Sequence, residues 1–186
     1  MKRVFDLTVA AIALTVLALP LALIALLVRL TSPGPAIYWS DRVGRDNEIF
    51  RMPKFRTMRV DTPAVATHLL QRPEQYLSPL GALLRRTSLD ELPQLWSFLV
   101  GHMSFVGPRP ALYNQHDLVA IRTAHGVQKI VPGLTGWAQI NGRDELTIRE
   151  KVAFDVEYLK RKSIAFDTRI LFLSVWRAAI GSGVKH

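Results

Sequence analysis

Apolar and polar positions divide this chain into two unlike parts. From Leu7 to Val28 no charged residue occurs and nearly every position is apolar. As a helix rising about 1.5 Å per residue the run reaches roughly 33 Å, which matches a bilayer hydrocarbon core of about 30 Å. A cleaved signal peptide has an apolar core of only ~7–15 residues before a small-x-small site, and "RLTSPGP" is a poor cleavage site. The pattern therefore predicts a retained membrane segment. Pro20 sits near its middle. It lacks an N–H and clashes with the carbonyl of Val16, which bends or breaks a helix. Lys2 and Arg3 precede the run and Arg29 follows it, so the positive-inside bias asks both ends to stay in the cytoplasm. Two readings stand: an ordinary spanning helix with a proline kink, or a helix bent at Pro20 that enters and leaves by one leaflet. Asp6 at the mouth of the run is costly unless paired, and Lys2 or Arg3 lies one turn away. "TSPGP" stops the segment. The boundary falls there, giving a membrane helix at 1–33 and a second region at 34–186.

Beyond it the pattern is mixed and short-ranged. "AIYWSDRVG" reads as a short strand or extended arm ending at Gly44, and "IFRMPKFRTMRV" alternates apolar and basic residues. "ALLRRTSLDELPQLWSFLVG" reads as a helical patch. "VPGLTGWAQINGRDE" is turn-rich, with Asn141-Gly142 fitting a tight hairpin turn. On an extended segment Trp137, Gln139, Asn141 and Arg143 would face one side. Two helices close the chain. In "LTIREKVAFDVEYLKRK" the residues Ile148, Val152, Val156 and Leu159 form an apolar stripe. In "FDTRILFLSVWRAAIG" Asp167 can cap and Gly181 can stop. The predicted fold class is mixed α/β, mainly helical with short irregular strands.

Composition sharpens this. The chain has 186 residues, 49% hydrophobic and 21% charged, with a net charge of +9. An excess of that size predicts an anionic partner: nucleic acid, anionic lipid or a phosphorylated substrate. No cysteine occurs, which excludes disulfides, zinc-thiolate sites and a cysteine nucleophile. The five histidines lack zinc-site spacing. Neither Gly-rich nucleotide cradle is present.

Candidate chemistry concentrates in three stretches. In "RRTSLDELPQLW" the acids Asp90 and Glu91 follow Arg85 and Arg86. Ser88-x-x-Glu91 fits a capping box, and Pro93 fits better with Asp90 as the cap. Ionised at a helix start, beside two arginines, Asp90 is also a competent nucleophile and magnesium ligand; both readings demand the same placement, and spacing alone favours the cap. Lys54 and Arg56 lie close enough to act together on a diphosphate, or they form a solvated basic face. In "GPRP" two prolines fix the backbone around Arg109, which lowers the entropy lost when it grips a phosphate. Trp137, Asn141 and Arg143 would suit a base, a sugar and a phosphate, or else mark a hairpin with a core tryptophan.

The motifs "KRVFDL", "TSPGPAIYWSDRVG", "KFRTM", "RRTSLDELPQL", "MSFVGPRP" and "VPGLTGWAQINGR" occur here in that order. In this the chain resembles the bacterial sugar transferases known as small monotopic phosphoglycosyl transferases, over nearly its whole length, Lys2 to Gly183. The resemblance implies a kinked re-entrant helix hinged at Pro20 and an interfacial catalytic domain with amphipathic helices on the cytoplasmic face of the bacterial inner membrane. It implies transfer of a phosphosugar from a UDP-sugar to polyprenyl (undecaprenyl) phosphate with release of UMP. Asp90 maps to the family's nucleophile, which holds the phosphosugar covalently in a ping-pong cycle. Glu91 would help bind Mg2+ with Asp90 or assist proton removal. Arg109 would grip the donor, and Lys54, Arg56, Arg85, Arg86, Trp137, Asn141 and Arg143 are further donor-binding candidates. Inner-membrane lipid is an expected partner, nucleic acid is not, and an oligomer is compatible with the sequence. Leu19, Ser40, Ser97, His102 and Ile148 depart from the family's usual residues, which leaves the donor sugar open. Two other classes remain to be tested: a membrane-anchored basic protein binding lipid or nucleic acid, and a transferase that moves the sugar alone and releases UDP.

Overall fold

In the computed structural model, residues 2–63, 73–142 and 145–179 are described. The apolar run becomes helix α1, Lys2–Thr31, which continues through Pro20 without a break. By length and composition it is able to cross a membrane, and almost none of its most apolar stretch is buried. One stripe, spaced three and four residues apart, lies on the rest of the protein. Ala10, Ala13, Leu14 and Leu17 pack on Phe50, Met52, Leu95, Phe98 and Met103. Leu21, Ile24, Ala25 and Val28 pack on Phe55 and Leu84. Ile12, Val16, Leu19, Leu23, Leu26 and Leu30 face outward.

Polar contacts tie both ends of α1 to the same body. At the start, Lys2 Nζ donates to Val106 O at 2.8 Å, Tyr158 Oη at 2.9 Å and Asp167 Oδ2 at 2.6 Å. Arg3 donates to the carbonyls of Phe98 and Leu99. At the exit, Arg56 donates to Pro33 O at 2.5 Å and Ser32 O at 2.8 Å. The expected pairing of Asp6 with Lys2 or Arg3 does not form. Both cations reach further acceptors, and buried Asp6 takes the Phe105 N–H at 3.4 Å instead.

The alternating stretch forms an antiparallel hairpin of β1, Ile37–Val43, and β2, Ile49–Phe55. The register runs from Ile37↔Phe55 to Val43↔Ile49. Its tight connection holds Asp46 and Asn47 at positive φ, a conformation these two residue types tolerate best among those with side chains. Phe50 and Met52 turn inward while Ile49 and Arg51 face out, as a period of two requires. Lys54 shares the inward face.

The predicted patch at 82–101 is not one helix. It is α2, Gly81–Arg86, then a 3-10 segment at Leu89–Gln94, then α3, Leu95–Val100. The break is at Ser88, whose φ is 56° and whose side chain caps nothing. The capping box expected at Ser88–Glu91 is therefore absent, as is a cap at Asp90. Glu91 does not reach back, because two cations claim its carboxylate. A capping box does form at Thr147–Glu150.

Strands β3, Ser104–Val106, and β4, Gly133–Thr135, pair in parallel. At Gly133 an added Cβ would lie 2.1 Å from the Gly107 nitrogen, so only glycine lets the 107–110 loop approach this strand. Helix α4 is His116–Ala124. The expected extended segment after β4 is instead a helical turn, α5, Trp137–Ile140. Asn141 ends that turn and its side chain donates to Trp137 O at 2.7 Å, so the predicted hairpin is not formed. Helices α6, Ile148–Arg161, and α7, Ile164–Ala179, complete the fold. In α6 Val152 is buried but Ile148 is exposed, and Asp155 and Tyr158 join the inward face. Asp167 does not cap α7. Ser163 accepts the Phe166 N–H, and Asp167 binds Lys2 and Tyr158. Gly181 lies outside the described residues.

Candidate active site

Three chain segments meet at the Glu91 carboxylate. Lys54 arrives from β2, Arg109 from the loop after β3, and Glu91 itself from the 3-10 turn. Lys54 Nζ stands 2.7 Å and Arg109 Nη2 2.9 Å from the same Oε1. The short 3-10 segment points Asp90 and Glu91 into this space because Ser88, in the left-handed region, reverses the chain after α2. A continuous α-helix would have carried the pair along its surface.

The two adjacent acids have opposite environments. Burial pushes the Glu91 carboxyl up, but Arg109 and Lys54 together outweigh it and hold Glu91 well below the usual carboxylate range. Asp90 is only 9% exposed. Burial pushes its carboxyl up, Lys54 opposes this, and the neighbouring Glu91 adds to it. Among the described residues no side chain hydrogen-bonds to Asp90; Lys54 and Arg85 act on it through space. Lys54 is lowered chiefly by burial, with Glu91 resisting. Two acids whose environments pull their pKa values apart are suited to two roles: Glu91 a fixed counter-ion, Asp90 a carboxylate with little to hold it back from an electrophile.

Arg85, at the end of α2, donates to Thr57 Oγ1 at 2.9 Å and lies near Asp90. Arg86 is exposed on the last turn of α2. Arg56, beside Lys54 in sequence, turns away and latches the α1 exit. Trp137 donates Nε1–H to Glu157 at 2.8 Å, and Asn141 closes α5. Arg143 lies outside the described residues. Pro20 is on the outward face of α1.

Sequence reasoning passed over Arg42. It stands on β1 on the side of buried Ser40, bonds Ser40 Oγ at 3.0 Å and Pro110 O at 3.3 Å, and is lowered to about 10 by burial and by Arg109, with Glu91 resisting. Its signal was present: an arginine two residues from Ser40, on the same side of a strand. With Arg42, four cations (Arg42, Lys54, Arg85, Arg109) surround two acids. The surplus of positive charge suits a ligand carrying about two negative charges, such as a diphosphate.

Among the described residues no group of three or more His, Asp or Glu could hold a metal. Mg2+, however, keeps several waters and binds through one or two carboxylates plus substrate phosphates. Asp90 and Glu91 fit that partial set, with Glu91 Oε1 already committed to Lys54 and Arg109.

Comparison with known proteins agrees in its extent. The profile described as "Bacterial sugar transferase" matches residues 1–181. The UDP-glucose:undecaprenyl-phosphate glucose-1-phosphate transferase of Escherichia coli (strain K12) is 41% identical over 97% of this chain, which spans 40% of that relative. The undecaprenyl-phosphate glucose phosphotransferase of Komagataeibacter xylinus is 39% identical over 95% of this chain and 35% of its own length. The uncharacterized sugar transferase EpsL of Bacillus subtilis is 36% identical over 100% of this chain and 91% of its own. The chain thus spans well under half of the first two relatives and nearly all of the third. On the full-length profile match and the EpsL alignment together, this chain belongs to the bacterial sugar transferase family.

Proposed function

We propose that the chain transfers a phosphosugar from a UDP-sugar to polyprenyl phosphate, releasing UMP, at the cytoplasmic face of the bacterial inner membrane. The observation that carries the reading is the division of labour between the two acids: Glu91 tied by Lys54 and Arg109, and Asp90 beside it with no side chain among the described residues hydrogen-bonded to it. Asp90 is the nucleophile. Its carboxylate oxygen attacks the phosphorus that bears the sugar, the bond from that phosphorus to the bridging oxygen breaks, and the electron pair leaves with UMP. The phosphosugar is then held as an acyl phosphate on Asp90. An oxygen of polyprenyl phosphate attacks the same phosphorus, Asp90 departs as carboxylate, and polyprenyl-diphosphate sugar is formed. Lys54, Arg109 and Arg42 hold the diphosphate by charge-assisted bonds, and Lys54 and then Arg85 oppose the burial that pushes the Asp90 carboxyl up. Asp90 and Glu91 are the residues that would hold Mg2+, which would supply positive charge to the departing phosphate.

The membrane part of the proposal is that α1 lies in one leaflet with both ends on the cytoplasmic side. Its support is that Lys2 and Arg3 at one end and Ser32 and Pro33 at the other are bonded to a single body. The outward apolar stripe of α1 then faces lipid. This holds Asp90 at headgroup depth, where the phosphate of a lipid-borne acceptor resides.

The deciding assay offers UDP-sugars, polyprenyl phosphate and Mg2+ to the protein and identifies the nucleotide released. UMP is expected. UDP would mean transfer of the sugar alone, and neither nucleotide would mean a binding protein. A panel of donors in the same assay identifies the sugar.

A further inference from the structure

The loop bearing Arg109 is held at four consecutive carbonyls. Pro108 O accepts from Gly133 N at 2.9 Å and Ala111 O from Val43 N at 2.9 Å. Pro110 O accepts from Arg42 at 3.3 Å and Arg109 O from Arg122 Nη1 at 2.8 Å. Arg122 differs from the other donors in what braces it. From α4 its Nε and Nη2 both donate to Asp155 Oδ2 on α6, at 2.9 and 2.7 Å. The two side chains are 12% and 2% exposed.

Such a pair is not needed to pack α4 on α6. Apolar side chains of equal volume often stabilise a fold as well or better than a buried ion pair. What they cannot do is donate a hydrogen bond to the carbonyl of Arg109. The Arg109 side chain is 42% exposed and bonds Glu91 at its tip. Where its base stands is set by the backbone: φ is limited at Pro108 and Pro110, and the carbonyl between them is gripped by a guanidinium that is itself held by Asp155. The Arg122–Asp155 pair is neutral in sum, so it adds rigidity to the site rather than field.

We propose that Arg122, braced by Asp155, is a positioning residue that sets Arg109 against Glu91 and the donor diphosphate. The inference rests on the donor-binding role given to Arg109 above. Lysine at position 122 keeps the charge but cannot fork to Asp155 and the carbonyl together. For Arg122→Lys the KM for UDP-sugar should rise roughly 10- to 100-fold, the scale of a displacement of about 1 Å in a binding group. KM for polyprenyl phosphate should be unchanged, and Asp155→Asn should shift donor KM in the same direction. The double variant Arg109→Met/Arg122→Lys should be no worse than Arg109→Met alone. Multiplying effects, or an unchanged donor KM in Arg122→Lys, would overturn the proposal. A readout independent of activity is the thermal-unfolding cycle between Glu91→Gln and Arg109→Met. Its non-additivity should be present with Arg122 and lost with Arg122→Lys; retention of the full coupling also overturns the proposal. If the parent protein releases no UMP from any donor, the activity reading fails by itself, and this cycle alone decides the role of Arg122.

Discussion

Replacing Glu91 with Gln removes one charge from between Lys54 and Arg109 and keeps the shape of the side chain. The size of the effect follows from exposure. Lys54 and Glu91 are 15% and 21% exposed, whereas Arg109 is 42% exposed. Breaking a fully buried pair by removing one partner costs about 3–5 kcal/mol, and an exposed pair contributes about 0–1 kcal/mol. The Lys54 contact lies nearer the first limit and the Arg109 contact nearer the second. Gln still accepts one hydrogen bond, so the net loss is about 2 kcal/mol. For a chain of this size that lowers Tm by roughly 4–8 °C. The assay is thermal unfolding of the protein in lipid at neutral pH, with Lys54→Met and the double variant alongside. Lys54→Met should lower Tm in the parent and have little further effect once Glu91 is Gln, because the charge it neutralised is gone. A Glu91→Gln protein within about 1 °C of the parent, or fully additive variants, would refute the claim that these charges form one unit.

Other outcomes follow from the same geometry. Asp90→Asn should abolish turnover and raise Tm near neutral pH. The folded Asp90 binds its proton more tightly than the unfolded one, so wild-type stability falls as pH rises from the ordinary aspartate range through the raised folded value; the advantage of Asn should vanish when the pH is brought below about 3.9. The sign is opposite for Glu91, whose folded pKa is depressed. Its stabilisation is present above the ordinary glutamate range and is lost as pH falls below it, so acid unfolding of Glu91→Gln should be less steep than that of the parent. Arg56→Met leaves the Ser32 and Pro33 carbonyls without their donor, at about 1–3 kcal/mol for the Ser32 carbonyl, whose residue is buried, and limited proteolysis should cut between Thr31 and Pro35 faster than in the parent.

What the sequence made legible was periodicity and long motifs. The uncharged run gave α1, the alternation around Phe50 and Met52 gave β2, and the apolar stripe Ile148, Val152, Val156 and Leu159 gave α6. Lys54, Glu91 and Arg109 were marked as chemistry and do converge. What stayed hidden depended on tertiary choices among competing partners. Ser88–Glu91 spells a capping box, yet cations from β2 and the 107–110 loop outbid the local bond. Trp137 to Asn141 can alternate as a strand, yet Asn141 satisfies the Trp137 carbonyl in a helical turn. Arg56 and Lys54 are two residues apart but diverge, because the inward Lys54 faces Glu91 and Arg56 meets the carbonyls leaving α1. Arg122 and Asp155 are 33 positions apart, and no local pattern links them.

The most direct test of the central claim is the intact mass of the protein after incubation with UDP-sugar and Mg2+ in the absence of lipid acceptor. The expected result is a gain equal to one phosphosugar, located by peptide mapping on Asp90, discharged by polyprenyl phosphate and missing in Asp90→Asn. UMP release without any such adduct in the parent, or an adduct that persists when Asp90 is Asn, would contradict it.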